Sequence, residues 1–252
     1  MTQELRAAIE RCYGVFAAYR LQGPGLCVCR CPCCMDEASE RALLITPLRE
    51  IRAGLLGEYT NSAHGWDDTV IAREFRHFLP RYLELIAAYD PPDGLGLDSC
   101  LRRMGEAGWL AKWPPGEVAA VLAFFDAFLD ASLSALEHRQ PGAGGDTFGV
   151  DDILACLVRA GGDLERLLAA WDRAGDPGAA VNMASLRQNV VWRQGRPELH
   201  GWRDYPGLGA EGGRIAEFLL RPEVDARIEA AFFQTEDEDW QRVLSDALVL
   251  RR

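Results

Sequence analysis

The chain has almost no lysine: Lys112 is the single one among 27 basic residues, set against 38 acidic ones, for a formal net charge of −11. Such a balance repels phosphate backbones and anionic membrane surfaces, so nucleic acid and membrane are excluded as expected partners and a basic protein is favoured. No apolar run is long enough to span a bilayer, and the polar start Met1-Thr-Gln-Glu-Leu-Arg6 has no signal-peptide core, so a cytoplasmic location is expected. Familiar catalytic signatures are missing too. Neither G-x-S-x-G nor H-E-x-x-H occurs, and the glycines at 142–145 lack the Lys-Ser/Thr of a phosphate loop. Gly207-Leu-Gly-Ala-Glu-Gly212 matches a dinucleotide fingerprint in letters only, because no strand pattern precedes it. Sustained period-2 alternation is absent as well, which argues against a β fold.

What is present is the helical period. Leu5, Ile9, Cys12, Tyr13, Phe16 and Tyr19 share one face behind a Thr2 N-cap, and Cys12 reads as a core thiol. Asp36 caps a short helix; Thr46-Pro47 predicts a helix from Leu48 to Tyr59; Asp67 or Asp68 opens a long segment that Pro80 should kink or divide. After Pro114-Pro115, the stripe Val118, Val121, Leu122, Phe125, Phe128, Leu129, Leu133 and Leu136 predicts a central core helix ending near Gly142. Shorter helices are expected over Asp151–Ala160, Asp163–Ala174, Pro177–Gln194, Gly212–Leu220 and Pro222–Phe233. A last helix should be opened by a Thr235/Glu238 capping box. The fold class is therefore all-α: an irregular helical domain, or paired helices in the manner of an α-solenoid, although no fixed-period repeat supports the latter. The Asp90-Pro-Pro-Asp-Gly94 breaker divides the chain into an N-terminal region, 1–92, and a C-terminal region, 93–252, expected to form one unit.

Five of the eight cysteines fall in Cys27-Val-Cys-Arg-Cys-Pro-Cys-Cys34. Thiolates this dense repel one another unless a borderline cation such as Zn2+ turns the repulsion into coordination. Cys31 and Cys34 have the C-x-x-C spacing that lets two thiolates on one turn reach the same ion. The ligand set is read as Cys31, Cys33, Cys34 and His77, with Cys27, Cys29 and His64 as additional candidates. His138 and His200 rank lower. Competing readings are a redox pair of Cys31 and Cys34, or reduced thiols on a surface loop; for His77 alone, a core histidine bonded to a carbonyl competes. Iron–sulfur binding is disfavoured by the irregular spacing.

Cys31-Pro-Cys-Cys34, Thr46-Pro-Leu-Arg-Glu50, Tyr59-Thr-Asn-Ser-Ala-His-Gly-Trp66, Glu74-Phe-Arg-His-Phe-Leu-Pro-Arg-Tyr-Leu-Glu-Leu85 and, more loosely, Arg227-Ile-Glu-Ala-Ala-Phe-Phe-Gln-Thr235 and Leu244-Ser-Asp-Ala-Leu248 resemble segments of a group of uncharacterised bacterial helical proteins. The resemblance implies that Cys31, Cys33, Cys34 and His77 act as a unit and carries no named activity. Cys27 and Cys29 depart from its pattern.

His64 with Asp67 and Asp68 could serve a metal or acid–base chemistry, although an aspartate there more often caps the next helix. Trp192, Arg193, Arg196 and Trp202 form a candidate protein interface, with core packing as the competing role of the tryptophans. The leading functional expectation is a zinc-stapled binding protein whose acidic surface engages a basic protein, in the manner of an immunity protein or antitoxin; a zinc-dependent hydrolase, with Glu74 among its candidates, or a metal or redox sensor is the alternative.

Overall fold

The computed structural model describes residues 1–64, 68–92, 96–142, 145–205 and 207–249. They form thirteen α-helices and two small two-stranded sheets. In order these are α1 (Gln3–Val15), α2 (Glu37–Ile45), α3 (Ala53–Asn61), α4 (Asp68–Ala87), α5 (Arg102–Glu106), α6 (Trp109–Lys112) and α7 (Pro115–Ser132). Then come β1 (His138–Arg139), β2 (Thr147–Phe148), α8 (Val150–Arg159), α9 (Leu164–Arg173), α10 (Pro177–Arg187), β3 (Val190–Arg193), β4 (Arg196–Leu199), α11 (Gly209–Leu219), α12 (Pro222–Gln234) and α13 (Glu238–Val249). The all-α expectation holds. No helix among the described residues is long and apolar enough to cross a membrane.

The chain divides into two compact units. Unit 1 comprises Met1–Phe128, Arg139–Thr147 and Arg159–Gly161, so it runs past the Pro91-Pro92 turn. Its core is α4, whose Phe75, Phe78, Leu79, Tyr82, Leu83 and Ile86 are buried; α1 packs on it, with Leu5, Ile9 and Cys12 of that helix and Phe16 just after it buried as well. Burial at this density stabilises each large apolar side chain by about 1.5–3 kcal/mol. Cys12 is a core thiol, aimed at the Ala120 carbonyl and pushed up to about 12 by burial. Gly105 is forced by packing: a Cβ there would lie 2.1 Å from the Arg159 carbonyl oxygen. Unit 2 comprises Leu129–His138, Phe148–Val158 and Gly162–Arg252. There α10 packs against α12 and α13, while α11 covers strand β4. Asn182, in the middle of α10, is buried but satisfied: its amide donates to the carbonyls of Leu133, Ala135 and Gly178 at 2.9–3.2 Å.

Several local expectations change. Pro80 does not divide α4, which runs as one helix from Asp68 to Ala87 with the proline inside it. A mid-helix proline costs about 3 kcal/mol, and the buried positions on both sides of Pro80 offset that cost. The Leu48–Tyr59 helix splits: a 3-10 turn at Leu48–Glu50 gives way to extended Ile51, buried at 1% exposure, before α3 starts at Ala53. Thr46 instead closes α2, donating its hydroxyl to the Ala42 carbonyl. The cap of α13 is Asp237, whose Oδ1 accepts from the Asp239 and Trp240 amides; Thr235 ends α12. The Pro177–Gln194 helix stops at Arg187, and a hairpin follows that the helical reading missed. The core helix α7 ends at Ser132, ten residues before the glycine expected to stop it.

Candidate metal centre

The cysteine segment links α1 to α2 as an extended loop held by groups from three helices. From α2, Glu40 accepts the Leu26 amide at 2.5 Å and pairs with Arg30. From α4, Glu74 accepts the Cys27 amide at 2.8 Å, while its other oxygen accepts the Tyr59 hydroxyl of α3 at 3.2 Å. Glu74 is only 3% exposed, and burial raises its carboxyl above the usual range. The Ser62–His64 segment after α3 lines the other side. The Ala63 carbonyl accepts from the Cys29 amide at 2.6 Å, Ser62 Oγ accepts from the Met35 amide at 2.8 Å, and Val28 and His64 form an antiparallel bridge.

On this scaffold the ligand atoms of Cys29, Cys31 and Cys34 lie within 4.8 Å of one another, and among the described residues these three are the group that could hold a metal ion. Residues 31–34 make a tight turn, with the Cys34 amide donating to the Cys31 carbonyl at 3.1 Å. That turn brings the Cys31 and Cys34 sulfurs to 3.3 Å. Four sulfurs about 2.3 Å from a tetrahedral zinc lie about 3.8 Å apart, so only a small opening separates these thiols from coordination distance. Cys34 Sγ also accepts the Ala63 amide at 3.3 Å, which ties the turn to the segment after α3. Hydrogen bonds from Cys33, Cys34 and Cys29 bring Cys31 down to about 6, whereas the same Cys31 partnership pushes Cys33 up to about 11. The donor set, three soft sulfurs on one loop, fits zinc.

The other candidates fall in different places. Cys33 is exposed, 3.0 Å from the Cys31 sulfur. Cys27 is partly buried, its backbone fixed by Glu74. His77 is half-buried on α4; its Nδ1 lies 3.0 Å from the Tyr19 carbonyl and its ring packs against Phe78, outside the three-thiol group. His64 shares the Val28 face of the bridge, and alternation along an extended strand sends Cys29 to the opposite face. The His64 ring stands edge-on to Tyr59 at 4.8 Å, its nitrogens are buried with no hydrogen bond of good geometry among the described residues, and burial pulls it down to about 4. Asp67 lies outside the described residues; Asp68 begins α4.

No family model, curated protein or solved structure matches the chain. The argument therefore rests on the geometry.

In unit 2 the four interface candidates separate. Trp192 is 64% exposed on β3, opposite Pro197, and Arg193 pairs with Arg196 across the hairpin. Trp202, at 2% exposure, is a core residue rather than a surface anchor. It stacks edge-on with Tyr205 and lies over Gly212, where a Cβ would come within 2.7 Å of it. That contact explains Gly212, which lies in the first turn of α11 rather than in the glycine-rich loop expected over 207–212. Sequence reasoning missed Glu40, Ser62 and Ala63 as supports of the thiol loop and missed Glu74's part in it. For Glu40 and Glu74 the signal was a carboxylate at a helix position facing the core; Ser62 and Ala63 gave none.

Proposed function

We propose that the chain is a zinc-binding helical protein whose thiol loop is stapled by one metal ion, and whose acidic surface engages a basic protein partner as an immunity protein or antitoxin does. The supporting observation is the convergence of Cys29, Cys31 and Cys34 on a loop already fixed by Glu40, Glu74 and Ala63. Cys33, beside Cys31, is the side chain placed to close the site; closed thiol-rich sites are structural, whereas catalytic zinc keeps a water position. Zinc would supply the cross-link that clamps the loop. The partner class rests on the charge of −11, which attracts cationic surfaces over a Debye length of about 8 Å at physiological salt.

One preparation tests both parts. Protein purified without chelator should carry about one zinc per chain by elemental analysis, and Cys31→Ser or Cys34→Ser should lose it together with several kcal/mol of stability. Metal-free protein that is fully folded would overturn the assignment. The partner reading requires affinity capture of a basic protein that weakens steeply between low and high salt, and rescue by co-expression from a toxin encoded beside it. Zinc-dependent turnover lost in His64→Ala, with no partner recovered, would favour a hydrolase instead.

A further inference from the structure

A cavity of about 590 Å³ lies within unit 1, between α3, α4 and the α5–α6 segment, with none of the thiols in its lining. Its size falls within the range of small-molecule sites, roughly 300–1,000 Å³. Tyr59, Phe75 and Trp113 give it aromatic walls, and Ile71, Ala72 and Ala107 add aliphatic surface.

The charges on this wall do not cancel. Arg76 lies over Trp113 at 4.6 Å and has Glu117 at 3.6 Å; Glu106 pairs with Arg102 at 3.4 Å. Among the described lining residues that leaves Arg103 and Lys112 with Asp68, and with Glu106 only as a more distant charge already engaged by Arg102. Among the described residues neither cation has a carboxylate within ion-pair distance. Arg103 is half-buried, its one hydrogen bond among the described residues going to the Ser62 carbonyl at 2.8 Å, and burial lowers its pKa. Desolvating an unmatched guanidinium is costly, and a chain with eleven surplus negative charges has many carboxylates that could have matched it. The chain's single lysine stands at the same wall.

We propose that this cavity binds a small aromatic carboxylate, its ring between Tyr59, Phe75 and Trp113 and its anionic group taken by Arg103 and Lys112. Guanidinium hydrogen bonds to carboxylate are charge-assisted and roughly twice as strong as neutral ones, which sets the selectivity. A bare inorganic anion would leave the aromatic walls empty, and a neutral aromatic would leave the cations unmatched.

Isothermal titration of the full chain with 2-naphthoate and with its neutral counterpart 2-naphthamide tests the proposal. Naphthoate should bind at least about tenfold more tightly than the amide. Arg103→Gln and Lys112→Gln should each weaken naphthoate binding by about tenfold while leaving the amide unaffected, and Asp68→Asn should strengthen it. Lys112 is exposed, so its variant reports on binding even if Arg103→Gln perturbs folding. Equal affinity for the two compounds, no heat for either at millimolar concentration, or an unchanged naphthoate affinity in Lys112→Gln would overturn it.

Discussion

The thiol loop and the β3–β4 hairpin are both extended segments in an otherwise helical chain, yet they are held in opposite ways. The hairpin is self-contained: β3 pairs with β4 residue for residue, from Val190 opposite Leu199 to Arg193 opposite Arg196, and Gln194-Gly195, both at positive φ, form the two-residue turn. Among the described residues the loop closes only two backbone bonds of its own, Val28 to Leu26 and Cys34 to Cys31; the amides of Leu26, Cys27, Cys29 and Met35 end on Glu40, Glu74, Ala63 and Ser62, between 14 and 47 residues away for the side-chain acceptors. A locally closed element survives changes elsewhere, whereas a borrowed scaffold fails wherever a lender fails.

The largest effect should come from removing a lender. Glu74→Ala leaves the Cys27 amide and the Tyr59 hydroxyl without their acceptor in a buried setting, for about 2–4 kcal/mol of destabilisation. Denaturant melts measure the loss. Hydrogen exchange should place it in residues 26–35 with the hairpin amides unchanged; equal loss in both segments would break the contrast. A smaller effect is expected inside the hairpin. Gly195 has φ +76 and open space around it, so Gly195→Ala meets backbone strain alone, about 1 kcal/mol, readable as faster exchange in β3 and β4 with the thiol loop untouched. The smallest is electrostatic. The Arg203 guanidinium holds the Glu198 carboxyl below its ordinary 4.5, so this pair stabilises the hairpin above that value and stops doing so as pH falls through the folded pKa. An NMR titration should put the Glu198 midpoint below 4.5 in the native chain and move it back up in Arg203→Gln.

The same contrast explains what the sequence disclosed. Helices with a local cap and an apolar stripe, such as α1 behind Thr2 and α2 behind Asp36, were legible because their determinants are adjacent in the chain. The continuity of α4 through Pro80 was not, since tertiary burial outweighs a local rule. The hairpin was legible in principle from Gln-Gly between Val-Val-Trp-Arg and Arg-Pro-Glu-Leu, but Gln at a position that favours Asn or Asp weakens the signal. At the site, dense cysteines marked the metal loop. Which of them converge depended on the turn at 31–34 and on the bridge from Val28 to His64, and neither spacing nor composition encodes that bridge.

Residues Ser62 to His64 form a partition between the thiol turn and the cavity, one side for each proposed ligand. Ser62 receives Met35 on its hydroxyl and Arg103 on its carbonyl, Ala63 donates to the Cys34 sulfur, and His64 lines the cavity. An anion that draws Arg103 toward itself takes a donor away from the same three residues that brace the thiols. Metal and anion then share one wall, and because coupling free energy is reciprocal, whatever metal loading does to anion affinity, anion binding does in equal measure to the metal.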